Sequence, residues 1–114
     1  MSHESVPPPT VIQQYQAAHD KHDIDAALAT FAATATVIDE EQRWTGVEEI
    51  RTWLAKTSTE YSFTRTLLGA QPDGEHSWVV RNRLEGNFPG NIVDLQYRFD
   101  LDDGDHILSL RIAP

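Results

Sequence analysis

The sequence predicts an α+β domain in which three N-terminal helices pack on a curved, mostly antiparallel sheet that forms a cone with an internal cavity. Apolar residues recur at three- and four-residue steps in three early segments, and from residue 61 onward the pattern changes to period two between turn sequences. At 114 residues the chain supports one core. A sheet bent around helices leaves its concave side incompletely filled, and small-molecule pockets form there.

Pro7, Pro8 and Pro9 impose an extended conformation, so residues 1–9 read as a disordered or extended tail and residues 10–114 as a single domain. Thr10 is a candidate N-cap for a first helix, in which Val11, Ile12, Tyr15, Ala18 and His19 share one face up to His22. Asp23 is a candidate N-cap for a second helix, with Asp25 in its first turn and Ile24, Ala27, Leu28 and Phe31 as its buried stripe. The β-branched run at 35–39 predicts a strand ending on Asp39, and 42–45, containing Trp44, predicts a second. Val47, Ile50, Trp53 and Leu54 then repeat at helical spacing. Glu48 and Glu49 open that helix and Lys56 lies near its end at Thr57, the charge order a helix dipole favours.

Four strands follow at 61–68, 76–86, 92–101 and 106–112, joined by Pro72-Asp73-Gly74, Phe88-Pro89-Gly90 and Asp102-Asp103-Gly104-Asp105. Pro89-Gly90 suits a type II turn with Gly90 at positive φ. Alternation assigns Leu95, Tyr97 and Phe99 to the concave face, with Trp78, Val80 and Leu84 on the neighbouring strand. On the last strand it assigns His106, Leu108, Leu110 and Ile112. Asn82 is the polar exception on this face. Arg81, Arg83 and Arg98 fall on the other face, and a one-residue shift of strand 76–86 would carry an arginine into the pocket.

Nine Lys and Arg against eighteen Asp and Glu leave a net charge of -9, which argues against nucleic acid and against anionic membrane surfaces as partners. The chain has no cysteine, which removes disulfide scaffolds, thiolate nucleophiles and Cys-based zinc sites. Neither a signal peptide nor a membrane span is expected, so the predicted location is cytoplasmic. The glycines stand singly in turns, with no phosphate loop and no nucleotide site. His19 and His22 have metal-ligand spacing but lack converging partners, and no metal is expected.

The order helix, helix, strand with Asp39, Gly46, a helix carrying Ile50 and Trp53, then a four-strand meander resembles the nuclear-transport-factor-like, or cystatin-like, superfamily. Val37-Ile38-Asp39-Glu40, Trp44-Thr45-Gly46, Ile50-Arg51-Thr52-Trp53, Gly86-Asn87-Phe88-Pro89-Gly90 and Phe99-Asp100-Leu101 resemble its SnoaL-like branch. The resemblance implies an α+β barrel with a small-molecule pocket. Distant similarity to the ketosteroid isomerases implies a general base at Asp39 and a hydroxyl donor at Tyr15, a chemistry in which a buried carboxylate moves a proton beside a carbonyl. The second acid of those isomerases has Leu95 in its place here.

Two functions follow. One is a cofactor-independent isomerase, cyclase or dehydratase acting on a small apolar carbonyl compound through Asp39 and Tyr15, with Trp53, Tyr61, Phe63, Trp78, Asn82, Leu95, Tyr97, Phe99 and His106 forming the ligand pocket. The alternative is a non-catalytic ligand-binding or dimeric assembly module. The resemblance implies a homodimer through the outer sheet face, where Val79, Val93 and Ile107 are expected beside Arg81, Arg83 and Arg111.

Overall fold

In the computed structural model, which describes residues 7–60 and 62–114, the chain enters through its prolines. Pro9 keeps extended geometry (ψ 154°) and is itself the N-cap of α1 (Thr10–Asp20), so Thr10 is the first helical residue and not the cap. The Pro9 carbonyl accepts from the N–H groups of Ile12 and Gln13 at 3.0 and 3.1 Å. Gln13 Nε2 donates to the Pro8 carbonyl at 2.6 Å, which ties this end of the predicted tail to the helix. Residues 1–6 of that tail, and Tyr61, lie outside the described residues.

Asp23 caps α2 (Ile24–Leu28) as predicted, its carboxylate accepting from the Ala26 N–H at 3.1 Å. The helix is shorter than its stripe suggested. Thr30 donates both its N–H and its hydroxyl to the Ala27 carbonyl, and its own carbonyl accepts from Ile107, so the chain turns into the sheet. Phe31 therefore opens β1 (Phe31–Asp39) instead of closing α2. A two-residue turn at Glu40 and Glu41 leads to β2 (Gln42–Thr45). Helix α3 (Gly46–Glu60) runs past the predicted end at Thr57.

Next come β3 (Phe63–Pro72), β4 (Ser77–Gly86), β5 (Ile92–Leu101) and β6 (Ile107–Ala113). The six strands lie in the order β2-β1-β6-β5-β4-β3, with β1 parallel to β6 and every other pair antiparallel. The β3 to β6 meander is as predicted. The barrel is not: β2 and β3 are opposite edges of an open sheet, and α3 is the connection that crosses from one edge to the other.

Between β4 and β5 the register pairs Trp78 with Phe99, Val80 with Tyr97, Asn82 with Leu95 and Leu84 with Val93. This keeps the arginines at 81, 83 and 98 on the outer face, where Arg83 bonds Asp94 and Arg98 bonds Asp73. Val93 shares the parity of Leu95 and so belongs to the concave face, not the outer one. Gly90 takes φ +89° in its turn, and the Asn91 N–H closes on the Phe88 carbonyl at 3.0 Å.

The last strand departs from simple alternation. Asp100 pairs with Ser109 and Leu101 with Ile107, so one extra residue, Leu108, bulges from β6. The bulge inverts the phase before it. Ile107 is fully buried, Leu108 is 42% exposed, and His106 lies in the preceding turn, exposed, its backbone N–H on Asp102 Oδ1. The core lies between helices and sheet, built from Ile12 and Tyr15 of α1, Ile50, Trp53 and Leu54 of α3, and Val37, Val80, Phe99, Ile107 and Leu110 of the sheet. Among the described residues no helix is long and apolar enough to cross a membrane.

Candidate functional site: a cavity around Asp39

A cavity of about 720 Å³ opens between α1, α3 and the concave side of the sheet. Trp53 of α3, Phe63 of β3, Leu84 of β4, and Val93, Leu95 and Tyr97 of β5 form apolar wall. Phe88 and Pro89 of the β4–β5 turn, the exposed Glu40 and Glu41, and Arg111 border it nearer the surface.

Asp39 stands on this wall at the last position of β1. Its parity with buried Val37 turns it toward the helices, and Trp53 Nε1 donates to its Oδ2 at 3.0 Å. Burial is the largest influence on this carboxyl and holds it above the ordinary carboxylate range; the Trp53 bond partly offsets this and the Glu40 charge adds to it. The turn after it is conformationally costly. Glu40 and Glu41 both have positive φ (53° and 66°), the type I′ geometry that Asn-Gly adopts without strain.

His19 is the second titratable group on the wall. Its ring lies between Tyr15, at 5.7 Å, and Trp53, at 5.9 Å, nearly parallel to both, and its Nε2 is 2.9 Å from Thr57 Oγ1. Thr57 gives its hydroxyl proton to the Leu54 carbonyl, so His19 Nε2 is the donor and Nδ1 carries the lone pair. Burial lowers its pKa to about 4, so the imidazole is neutral at pH 7.

The predicted site residues divide. Asp39, Trp53, Phe63, Leu95 and Tyr97 meet on the cavity wall. Tyr15 does not. It is 1% exposed behind His19, in edge contact with Phe31 and Phe99, and its hydroxyl has no hydrogen-bond partner among the described residues. Phe99 is core, and Trp78, though on the concave face, packs against that core beyond the cavity. Asn82 is fully buried, its Oδ1 accepting from Arg65 Nη1 at 3.1 Å. The β6 bulge removes His106 from the site altogether.

His19, Thr57 and the Phe88-Pro89 turn join the wall without having been singled out as ligand residues. The apolar face of α1 included His19, which was the available signal, but its aromatic partner comes from α3. Arg111, expected on the open face, also borders the cavity, and Ile107, expected beside it, is core. Among the described residues no three His, Asp or Glu side chains are grouped as metal ligands are.

No protein-family model and no curated protein matches the chain. Solved structures do. A candidate polyketide cyclase from Sinorhizobium meliloti is 34% identical, with 93% of this chain and 95% of that chain covered and a TM-score of 0.87. The epoxide hydrolase/cyclase-like enzyme SalBIII, of pyran ring formation in salinomycin, is 19% identical over 90% of this chain and 85% of its own, with a TM-score of 0.78. A Catenulispora acidiphila protein with a ketosteroid isomerase-like fold, in complex with trimethylamine, is 22% identical over 95% and 87%, with a TM-score of 0.81. The last two share the fold. With the first, whose likeness extends over nearly the whole of both chains, they lead to one assignment: the chain belongs to the SnoaL-like branch of the nuclear-transport-factor-like superfamily.

Proposed function

We propose that the cavity is the active site of a cofactor-independent isomerase or cyclase-type enzyme that acts on a small apolar carbonyl compound, with Asp39 as its general base. The observation that carries this is the Asp39 carboxylate on an aromatic and aliphatic wall, its ionised form penalised by burial and held by one indole N–H. A carboxylate so placed is a stronger base than one in water. It takes a proton from the carbon beside the carbonyl, the C–H electron pair passes into the enolate, and the Asp39 acid, whose proton exchanges with solvent through the mouth of the cavity, returns a proton to carbon. Trp53 fixes the carboxylate's orientation, and the apolar wall excludes the water that would stabilise its charge. Neutral His19 offers a second polar contact without adding charge.

The test needs no prior substrate. Keto, hydroxy and aromatic compounds are screened by thermal shift, where a ligand at a hundred times its Kd stabilises by roughly 2.7 kcal/mol. Keto hits are then incubated with protein in D2O and their α-deuteration followed by NMR. The expected result is exchange with the native chain and none above background with Asp39→Asn, which keeps ligand affinity within about threefold. Lost affinity with unchanged exchange per bound ligand contradicts the base assignment.

A non-catalytic ligand-binding module is the second reading, favoured by the apolar Leu95 and by a Tyr15 hydroxyl sealed behind the wall. Binding without deuteration by the native chain selects it. In either reading a homodimer through the outer sheet face is part of the proposal, with exposed Leu108 and Ile92 as its apolar contacts.

A further inference from the structure

A carbonyl compound that loses a proton from its α-carbon gathers negative charge on oxygen, so a base on the cavity wall calls for a hydrogen-bond donor on the same wall. Most of the side-chain donors near Asp39 are already committed. Trp53 Nε1 donates to Asp39, His19 Nε2 to Thr57, and the Thr57 hydroxyl to the Leu54 carbonyl. Arg65 is not on this wall: it pairs with Asp20, donates to Gln16 and Asn82, and lines a separate groove against α1. Arg111 borders the cavity only from the exposed side of β6, and the Tyr15 hydroxyl is sealed behind the wall.

Tyr97 differs from Tyr15 in this respect. It lines the cavity, and its hydroxyl, which has no hydrogen-bond partner among the described residues, is not one of the buried groups closed off without one. The ring is held by the stacked Phe99 at 6.3 Å, and the side chain is only 5% exposed. Strand register sets Tyr97 opposite the base. Asp39 of β1 pairs with Ile112 of β6, and Ile112 pairs with Tyr97 of β5, so the three form one row across the concave face. Asp39 and Tyr97 stand at its ends, two strand spacings or roughly 10 Å apart at Cα. A ligand lying over Ile112 has the carboxylate on one side and the phenol on the other.

We infer that Tyr97 is a catalytic residue of this site, donating a hydrogen bond to the carbonyl oxygen of the ligand while Asp39 takes the proton from the neighbouring carbon. This rests on the reading of the cavity as an active site. As the C–H electron pair moves through the new C=C bond onto oxygen, the Tyr97 O–H stays bonded to that oxygen, and the flow reverses when the Asp39 acid returns a proton to carbon. Burial, and after it the Asp39 charge, hold the Tyr97 hydroxyl above the usual phenol range, so it gives a hydrogen bond and keeps its proton throughout.

Three enolisable ketones of increasing size serve as probes: acetophenone, 2-tetralone and 2-acetylnaphthalene, each carrying ¹³C at the carbonyl. The full chain is titrated with each, the bound carbonyl signal is recorded, and α-deuteration in D2O is followed per bound ligand. In the native chain the bound signal is expected downfield of its position in Tyr97→Phe, which keeps the ring and removes only the donor. Deuteration by Tyr97→Phe should fall about a hundredfold, with affinity within about tenfold. Tyr15→Phe should keep the native signal and the native exchange. Equal exchange in the native chain and Tyr97→Phe overturns the catalytic role of Tyr97 and leaves Asp39 as the base. A signal that moves with Tyr15→Phe and not with Tyr97→Phe overturns the choice of donor. No exchange by the native chain, with the signal difference present, overturns the enzyme reading and keeps Tyr97 only as the hydrogen-bond donor to a bound ketone. Binding of none of the three overturns the cavity reading and the donor with it.

Discussion

Burial moves Asp39 and His19 in opposite directions, and both shifts favour the neutral form. For His19 the folded pKa is about 4 against 6.5 for the unfolded chain. Between those values the unfolded state binds the proton and the folded state does not, so stability rises with pH through the window. The contribution is complete above about pH 6.5 and disappears as the pH falls to about 4, at most roughly 3 kcal/mol in all. The imidazole signals of His19 should therefore stay at neutral-form shifts in an NMR titration down to about pH 5, and His19→Gln should flatten the acid limb of the stability curve. Titration near 6.5 would show that the stacked, enclosed ring is not the state in solution. Asp39 was legible in the sequence as a carboxylate at a strand end before a turn. The role of His19 was not, because its environment is made by Trp53 and Thr57 on another helix.

At the level of elements, helical and period-two patterns located every helix and strand, and 92–101 was placed to the residue. The errors fall where an element meets its neighbours. Helix α2 stops early because Thr30 and Ile107 pull the chain into the sheet, and β6 carries a bulge that no local pattern announces. The bulge makes opposite predictions for adjacent residues. Ile107→Ala removes a fully buried side chain and should cost about 2–5 kcal/mol in denaturant unfolding, whereas Leu108→Ser, on the exposed side, should stay within about 0.5 kcal/mol when both are measured at a dilution where the chain is a monomer. Unbroken alternation requires the reverse order. Gly86 shows a similar dependence on a neighbour: a Cβ there would stand 2.2 Å from the Ser62 carbonyl oxygen, an approach set by the pairing of β3 with β4.

For the whole molecule, the open sheet matters more than its strand count. Its outer face carries the pairs Arg83–Asp94 and Arg98–Asp73 beside exposed Ile92 and Leu108. Surface ion pairs of this kind contribute little by themselves, while apolar residues among them supply the area a dimer buries. The proposed homodimer predicts the mass of two chains in light scattering at micromolar concentration, and Leu108→Asp should return it to one. A native chain that scatters as a monomer at high concentration removes the dimer.

By itself the sequence determined which segments are helix and strand, which face of β4 and β5 turns inward, and that Asp39 closes the first strand. These properties depend on residues a few positions apart, where periodicity and capping act. Only the tertiary structure decided the parallel β1–β6 pairing, the open edges, the phase of β6 and the makeup of the cavity wall. It also set Tyr15 behind that wall and joined Arg65 to Gln16, Asn82 and Asp20. Each of these is a contact between residues far apart in the chain, and its outcome depends on which surfaces are brought together when the helices close on the sheet.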